Sequence, residues 1–351
     1  MIDSTIIEPA SRNYLVIDRY IADFIPAQAL WHALSNGLVD QLANQSTSTE
    51  QLAAQIGAEP ESTELQLSLL ASTGVVDSEE NNIWHLTEHF TQALIFRDLL
   101  EAKLAFATLL APDLLTGGKD FFSSLHRFMS SARTFDLFDY ERSFEINEEN
   151  LTATDRWVTL TAAYTRYEAV TLTDYLDLSD HRQLLDIGGN NGELALHLCH
   201  HLPKLQATVA DLPVVCELGR QRVAATSKAA AIHFVDTDLR HEQPPGRYDL
   251  VILKSLLHDW PDEAIEHFID RAWQALEPGG QLIIFERTKA NHSISPPRYG
   301  DLPIFVFAQF YRDPNLYINR LQQFGFINIE QRKVNLDWPF TLITARKPAL
   351  L

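Results

Sequence analysis

The 351-residue sequence contains only two cysteines, no long apolar run, and no Lys or Arg at all between Tyr20 and Phe96. Each scarcity excludes something. Cys199 and Cys216 cannot build a disulfide framework, and no C-x-x-C spacing offers a zinc site. Without a stretch of about 18 apolar residues, no membrane-spanning helix is expected. The opening residues MIDSTIIEPASRN carry acids and lack a basic segment ahead of an apolar run, so no signal peptide is expected and the chain reads as reduced and cytoplasmic. Cations are scarce throughout: 28 Lys and Arg stand against 47 Asp and Glu, a net charge of −19. Nucleic acid and anionic membrane surfaces both demand cations facing phosphates, so neither is an expected partner.

Hydrophobic residues are plentiful at 46%, enough for a sizeable core, and the length suits about two domains of roughly 150 residues. Within the cation-free block, Ala27 to Leu42 has helical apolar spacing through Leu30, Trp31, Leu34, Leu38 and Leu42. A short helix follows, capped by Ser48 or Thr49 and ended by Gly57; PESTELQLSLLASTG gives a third, and VVDSEENNIWHLTE reads as a hairpin with Asn81-Asn82 at its tip. Three helices and a hairpin make a winged-helix pattern. Winged helices that bind DNA need cations on the recognition helix and the wing, and this one has none, so it reads as a dimerisation element.

Residues 97–170 look helical and rich in phenylalanine, including Phe106, Phe121, Phe122, Phe128, Phe135, Phe138 and Phe144 beside Tyr140. Such aromatics line apolar pockets or fill cores and dimer interfaces, and the pattern leaves both open. After Asp180 short apolar strands alternate with helices, as in a parallel α/β sheet. QLLDI runs into Gly188-Gly189-Asn190-Asn191-Gly192 and a helix; QATVAD ends on Asp211, AIHFVDTD on Asp238, YDLVILK on Lys254, QLIIFE on Glu286. FGFINIEQRK and PFTLITARK form a closing strand pair, and Ser293 to Pro303 reads as a loop. A glycine-rich turn after the first strand, with an acid at the tip of the second, suits a ribose-bearing cofactor. The turn lacks the G-x-G-x-x-G spacing of a pyrophosphate clamp, which favours S-adenosylmethionine (SAM), a molecule without phosphates, over a nicotinamide dinucleotide. His197, Cys199, His200 and His201 cluster on one helix without a further ligand in view, so they read as a solvated face rather than a zinc site.

Four segments, LLDIGGNNG, ADLP, LKSLLHDWPDE and LEPGGQLIIFE, resemble the SAM-dependent small-molecule O-methyltransferases of the plant caffeate/flavonoid, acetylserotonin and bacterial secondary-metabolite type. The resemblance is strongest over 182–347. It implies a Rossmann-like α/β methyltransferase sheet over 176–351, a mainly helical, winged-helix-like dimerisation domain over 1–100, a helical linker and substrate lid over 101–175, and a homodimer formed through the N-terminal domain. By the same resemblance Gly188, with Gly189 and Gly192 of the same turn, would line the amino-acid end of SAM. Asp211 would hold the ribose hydroxyls, Leu212 would also touch the cofactor, Asp238 and Leu239 would flank the adenine, and Lys254 would be a further cofactor contact. His258 would be the general base and Glu286 the acid that orients it.

The chemistry suits these residue types. A phenol with pKa about 10 is a poor nucleophile at pH 7, and a histidine with pKa near 6.5 can take its proton. A carboxylate on the other ring nitrogen fixes the tautomer and steadies the imidazolium. Two positions depart from the family pattern. Asn190 replaces a glycine, which is tolerable because Asn visits left-handed backbone comparatively readily. Tyr311 stands where the family often places a second acid beside the base, and it brings no charge at neutral pH. The expected function is therefore methyl transfer from SAM to a hydroxyl of a small aromatic or polyketide-like molecule. A nitrogen- or carbon-methylating or non-methylating SAM enzyme is one alternative, and a winged-helix scaffold protein another.

Overall fold

A computed structural model of the chain describes residues 12–79, 82–289 and 297–349, together with the short strand Ile6–Ile7. It divides into two compact units, one formed by 12–134 and 294–306, the other by 1–11, 135–293 and 307–351. Residues 101–134 fall in the first of these units and 135–175 in the second.

The first unit is mainly helical. The apolar pattern from Ala27 to Leu42 predicts one helix, but the chain forms two, Phe24–Ser35 and Leu38–Asn44. Gly37 takes a φ of +82° between them, a left-handed turn that ends one helical path and starts the next without losing the buried stripe. Ser48 caps helix Thr49–Ile56 as expected, its hydroxyl accepting from the Gln51 N–H, and Pro60–Ser72 follows. Strands Val76–Glu79 and Ile83–Leu86 pair antiparallel, with Thr47–Ser48 on the outer side of the second. Asn81 of the expected hairpin tip lies outside the described residues, as do 293–296 of the expected loop. A 27-residue helix, Arg97–Ser123, completes the frame, and its fully buried Lys103 forms an ion pair with buried Asp18 at 2.8 Å.

The second unit holds the sheet. We label its strands β1 Gln183–Ile187, β2 Gln206–Asp211, β3 Ile232–Asp236, β4 Tyr248–Lys254, β5 Leu276–Arg287, β6 Ile327–Asn335 and β7 Pro339–Arg346. Their order is β6-β7-β5-β4-β1-β2-β3, with Ile6–Ile7 added parallel to β6 at the edge. The five strands β1 to β5 run parallel, while β7 is antiparallel to both β5 and β6. Central strands alternate strictly between two buried layers. Leu184, Leu250, Ile252, Ile283 and Phe285 face one, with Ala169, Leu172, Leu194 and Leu198 from helices Glu148–Tyr175 and Glu193–His201. Leu185, Val251, Leu253, Leu282 and Ile284 face the other, against Ile265, Phe268 and Ile269 of helix Asp262–Ala275. A parallel sheet buried on both faces reads as continuous apolar runs, which is why LVILK and QLIIFE look alike. The chain progresses outward one way from β1 to β3 and the other way from β4 to β5. The carboxyl ends of β1 and β4 therefore flank a topological switch point, where open α/β sheets place their ligands. Among the described residues no helix is long and apolar enough to cross a membrane.

Candidate active site

The loop after β1 is shaped by its own packing. Gly188 has a φ of +64°, and a Cβ there would fall 2.7 Å from the Leu256 side chain. A Cβ on Gly189 would fall 2.6 Å from the Asp186 carboxylate. Both glycines are needed for close approach, and Gly192, at φ +80°, opens helix Glu193–His201. Asn190 adopts a φ of +56°, the left-handed conformation its side chain tolerates. Its N–H donates to Asp211 Oδ2 at 2.8 Å and its amide nitrogen donates to Thr161 Oγ1 at 2.7 Å.

Asp211, at the tip of β2, also accepts the Leu212 N–H on Oδ1 at 2.7 Å. Burial pushes its pKa up to about 6 despite these two backbone donors, each of which favours the carboxylate. Each oxygen uses one acceptor site, and a carboxylate oxygen has two. Asp186, one residue from the end of β1, is buried with Oδ2 lacking any partner. Burial raises it to about 7; Lys254 opposes that and Asp211 adds to it.

β3 ends two residues sooner than AIHFVDTD suggests. The Thr237 N–H bonds to the Asp211 carbonyl at 2.9 Å as the last rung of the β2–β3 pairing, and Asp238 lies in the turn that follows. There Arg240 donates to Asp238 from its backbone N–H, Nε and Nη2 at 3.0, 2.8 and 2.7 Å, and its guanidinium lies 4.4 Å over the Trp260 ring. Leu239 is buried in the core beside Ile187 and Val251. Lys254, at the end of β4, is also buried, its Nζ donating to Glu168 Oε2 at 2.5 Å and Thr165 Oγ1 at 3.1 Å. Glu168 meets Arg287 through its other oxygen. Burial alone would raise the Glu168 pKa, but Arg287 and Lys254 outweigh it and hold the group at about 2.

The strands β4 and β5 bring the two expected catalytic residues together. After β4 the chain turns through Ser255, whose N–H bonds to the Phe285 carbonyl at 3.0 Å, into the single turn Leu257–Asp259. Glu286, near the end of β5, is completely buried. Its Oε1 accepts the N–H groups of Leu256 and Leu257, each at 2.7 Å, and its Oε2 lies 2.7 Å from His258 Nδ1. Acting only as an acceptor, the ionised carboxylate puts the proton on Nδ1 and leaves Nε2 free to take another. Nε2 lies 3.4 Å from Asp259 Oδ1. Burial works against a charged His258, yet Asp259 and Glu286 outweigh it and raise the pKa above the ordinary value. Asp259 does not cap the next helix, which starts after Pro261; its Oδ2 accepts the Tyr140 hydroxyl at 2.9 Å. Tyr311 is buried edge-on to the His258 ring, with centroids 5.2 Å apart, and burial drives its phenol well above 10, so it contributes shape without charge.

His197 is half-buried rather than solvated, as its helix packs on Glu148–Tyr175. Burial and neighbouring His201 lower its pKa to about 4, and Nε2 sits 3.2 Å from Thr173 Oγ1. Among the described residues no cluster of three potential metal ligands occurs.

The sequence pattern of the O-methyltransferase domain family matches residues 132–326, more than half of the chain, including the glycine-rich loop, Asp211, His258 and Glu286. The chain belongs to that family. A stretch of 111 residues is 35% identical to the 3-hydroxy-5-methyl-1-naphthoate 3-O-methyltransferase of Streptomyces sahachiroi, covering 32% of each chain. Another of 174 residues is 30% identical to the acetylserotonin O-methyltransferase of Rattus norvegicus, covering 49% of this chain and 40% of that one. These alignments span less than half of the relatives' own length. In fold the likeness is nearly complete. Human N-acetylserotonin methyltransferase in complex with SAM superposes with a TM-score of 0.73 at 21% identity, covering 96% of this chain and 98% of that one. The pyocyanin biosynthetic protein PhzM gives 0.72 at 19% identity, covering 92% and 94%.

Several residues around the Gly188 loop and the His258–Glu286 pair were given no role from the sequence. An acid inside an otherwise apolar strand was a visible sign of Asp186. Glu168 and Tyr140 carry no comparable signal, because their partners lie far along the chain and are set by the fold.

Proposed function

We propose that this chain is a SAM-dependent O-methyltransferase for a hydroxyl of a small aromatic or polyketide-like molecule, with His258 as general base and Glu286 as the group that orients it. The observation that carries this reading is the hydrogen-bonded pair of His258 and fully buried Glu286 on the same sheet edge as the Gly188–Gly192 loop and Asp211. The residues fit the cofactor. Asp211 keeps acceptor capacity on both oxygens for two ribose hydroxyls, and the unpartnered, buried Asp186 oxygen beside Gly189 calls for a cationic donor such as an amino-acid ammonium. Lys254 uses two of its three protons on Glu168 and Thr165, leaving one for a further acceptor. When bound, SAM supplies an electrophilic methyl group. His258 Nε2 takes the acceptor's hydroxyl proton, while Glu286 keeps the imidazole in the tautomer that can receive it. The relatives named for naphthoate and acetylserotonin substrates support a small hydroxylated aromatic acceptor.

The same reading makes the helical unit a winged-helix-like dimerisation element and the chain a homodimer.

SAM binding is the first test. Calorimetry on the wild type is expected to give saturable binding, and Asp211→Ala to weaken it about 10- to 100-fold, the worth of one or two charge-assisted hydrogen bonds. No binding by the wild type would sink the reading. A second test is pH. His258 must be neutral to act, and its neighbours raise its pKa, so the ascending limb of kcat is expected above about pH 6.5. A profile flat from pH 5 to 8 would remove the base assignment.

A further inference from the structure

His258 lies between two carboxylates, and only Glu286 belongs to the reading above. The other, Asp259, lies on the Nε2 edge, where the acceptor's proton must arrive. A short acid next to an imidazole in the same turn has several rotamers open to it, and something must select this one. That group comes from far along the chain. Tyr140 opens the short turn Tyr140–Phe144, stacks its ring on Trp260 with centroids 5.4 Å apart, meets Trp157 edge-on at 5.7 Å, and points its hydroxyl at Asp259 Oδ2 at 2.9 Å.

We propose that Tyr140 is a positioning residue whose hydroxyl holds the Asp259 carboxylate against the Nε2 edge of His258, so that a second acid flanks the base although Tyr311 occupies the place where the family often has one. The proposal rests on His258 being the base of the reaction above. Two ring contacts fix the direction of the phenol, and an O–H can only stabilise the ionised form of an acid to which it donates. Imidazolium formed when the acceptor loses its proton then has an anion on each edge. Tyr140 stays a donor, since burial and the adjacent Asp259 charge raise its pKa well above 10.

All the charges around the pair bear on the test. Glu286 and Asp259 favour protonated His258, and Arg287, one residue beyond Glu286, opposes it. Asp259, whose side chain keeps 27% of its surface exposed, is raised by partial desolvation and by Glu286 and is lowered by His258, Tyr140 and Arg312, the last reaching in from the segment after Tyr311. Asp211 and Arg240 act on Tyr140 with opposite sign. Removing the Tyr140 hydroxyl either protonates Asp259 more readily or lets it swing away. Both outcomes weaken the negative field at Nε2, so both lower the pKa of His258.

The measurement is an NMR pH titration of the full, 15N-histidine-labelled chain without SAM or acceptor, with His258 assigned by the signal missing from His258→Gln. Tyr140→Phe keeps both ring contacts and is expected to lower the His258 pKa by about half a unit or more. In an Asp259→Asn background the same change is expected to have no further effect, since the two act in series. An unmoved His258 in Tyr140→Phe, or an equal fall in both backgrounds, would overturn the proposal. Should Tyr140→Phe fail to fold, Asp259→Asn alone must lower the His258 pKa, and no change would overturn it as well. Because no cofactor is present, failure here is distinct from failure to bind SAM. In turnover, Tyr140→Phe is expected to cost about 10-fold in kcat with KM values for SAM and acceptor within about twofold.

Discussion

Replacing His258 by glutamine is expected to lower kcat/KM for methyl transfer about 10²- to 10⁴-fold while leaving SAM affinity within about twofold. The size follows from what glutamine cannot do. It fills similar space and still donates to Glu286, but it has no basic nitrogen for the acceptor's proton. The acceptor then reacts as a neutral hydroxyl or waits for the small fraction ionised at neutral pH. Activity that remains comes from holding the reactants in line, and it is expected to climb steadily with pH because the substrate must ionise by itself. Steady-state kinetics from pH 6 to 9 beside calorimetric SAM binding checks both parts. A loss of SAM binding equal to the loss of turnover would make His258 a structural residue.

Glu286→Ala is expected to be worse for the protein as a whole, losing about 2–5 kcal/mol of stability along with nearly all activity. Glu286 is completely buried and serves three donors: the Leu256 and Leu257 N–H groups and the His258 ring. Truncation strands the two backbone donors in the core and frees the imidazole to take either tautomer. Glu286→Gln separates these effects. Its amide oxygen can still accept from the backbone, so stability is expected to recover in large part, while the lost negative charge leaves His258 harder to protonate and turnover low. Chemical denaturation of the three proteins gives the stabilities. Glu286→Ala as stable as the wild type would mean that the turn after β4 does not depend on this carboxylate.

Features that rest on neighbouring residues were legible in the sequence. Strands β1, β4 and β5 announce themselves as apolar runs that end in a glycine turn, a lysine and an acid, and parallel order puts those ends on one edge. The pairing of His258 with Glu286 could be anticipated for this reason. Local turns were less legible. Gly37 splits an uninterrupted apolar stripe into two helices, and β3 stops at Asp236, the residue paired with Asp211, ahead of Asp238. Least legible were contacts made by distant partners. Glu168 and Lys254 are 86 residues apart, and Tyr140 and Asp259 are 119 apart. No periodicity links such positions; only the packing of helix Glu148–Tyr175 and of the Tyr140–Phe144 turn brings them together.

The most direct test of the account is transfer of a trideuteromethyl group from labelled SAM to a panel of hydroxynaphthoates and hydroxyindoles, read by product mass for wild type and His258→Gln side by side. An aryl ether carrying one labelled methyl is expected from the wild type, and at least about 100-fold less from His258→Gln at equal SAM occupancy. Label transferred equally fast by both proteins, or a wild type that binds no SAM, would contradict it.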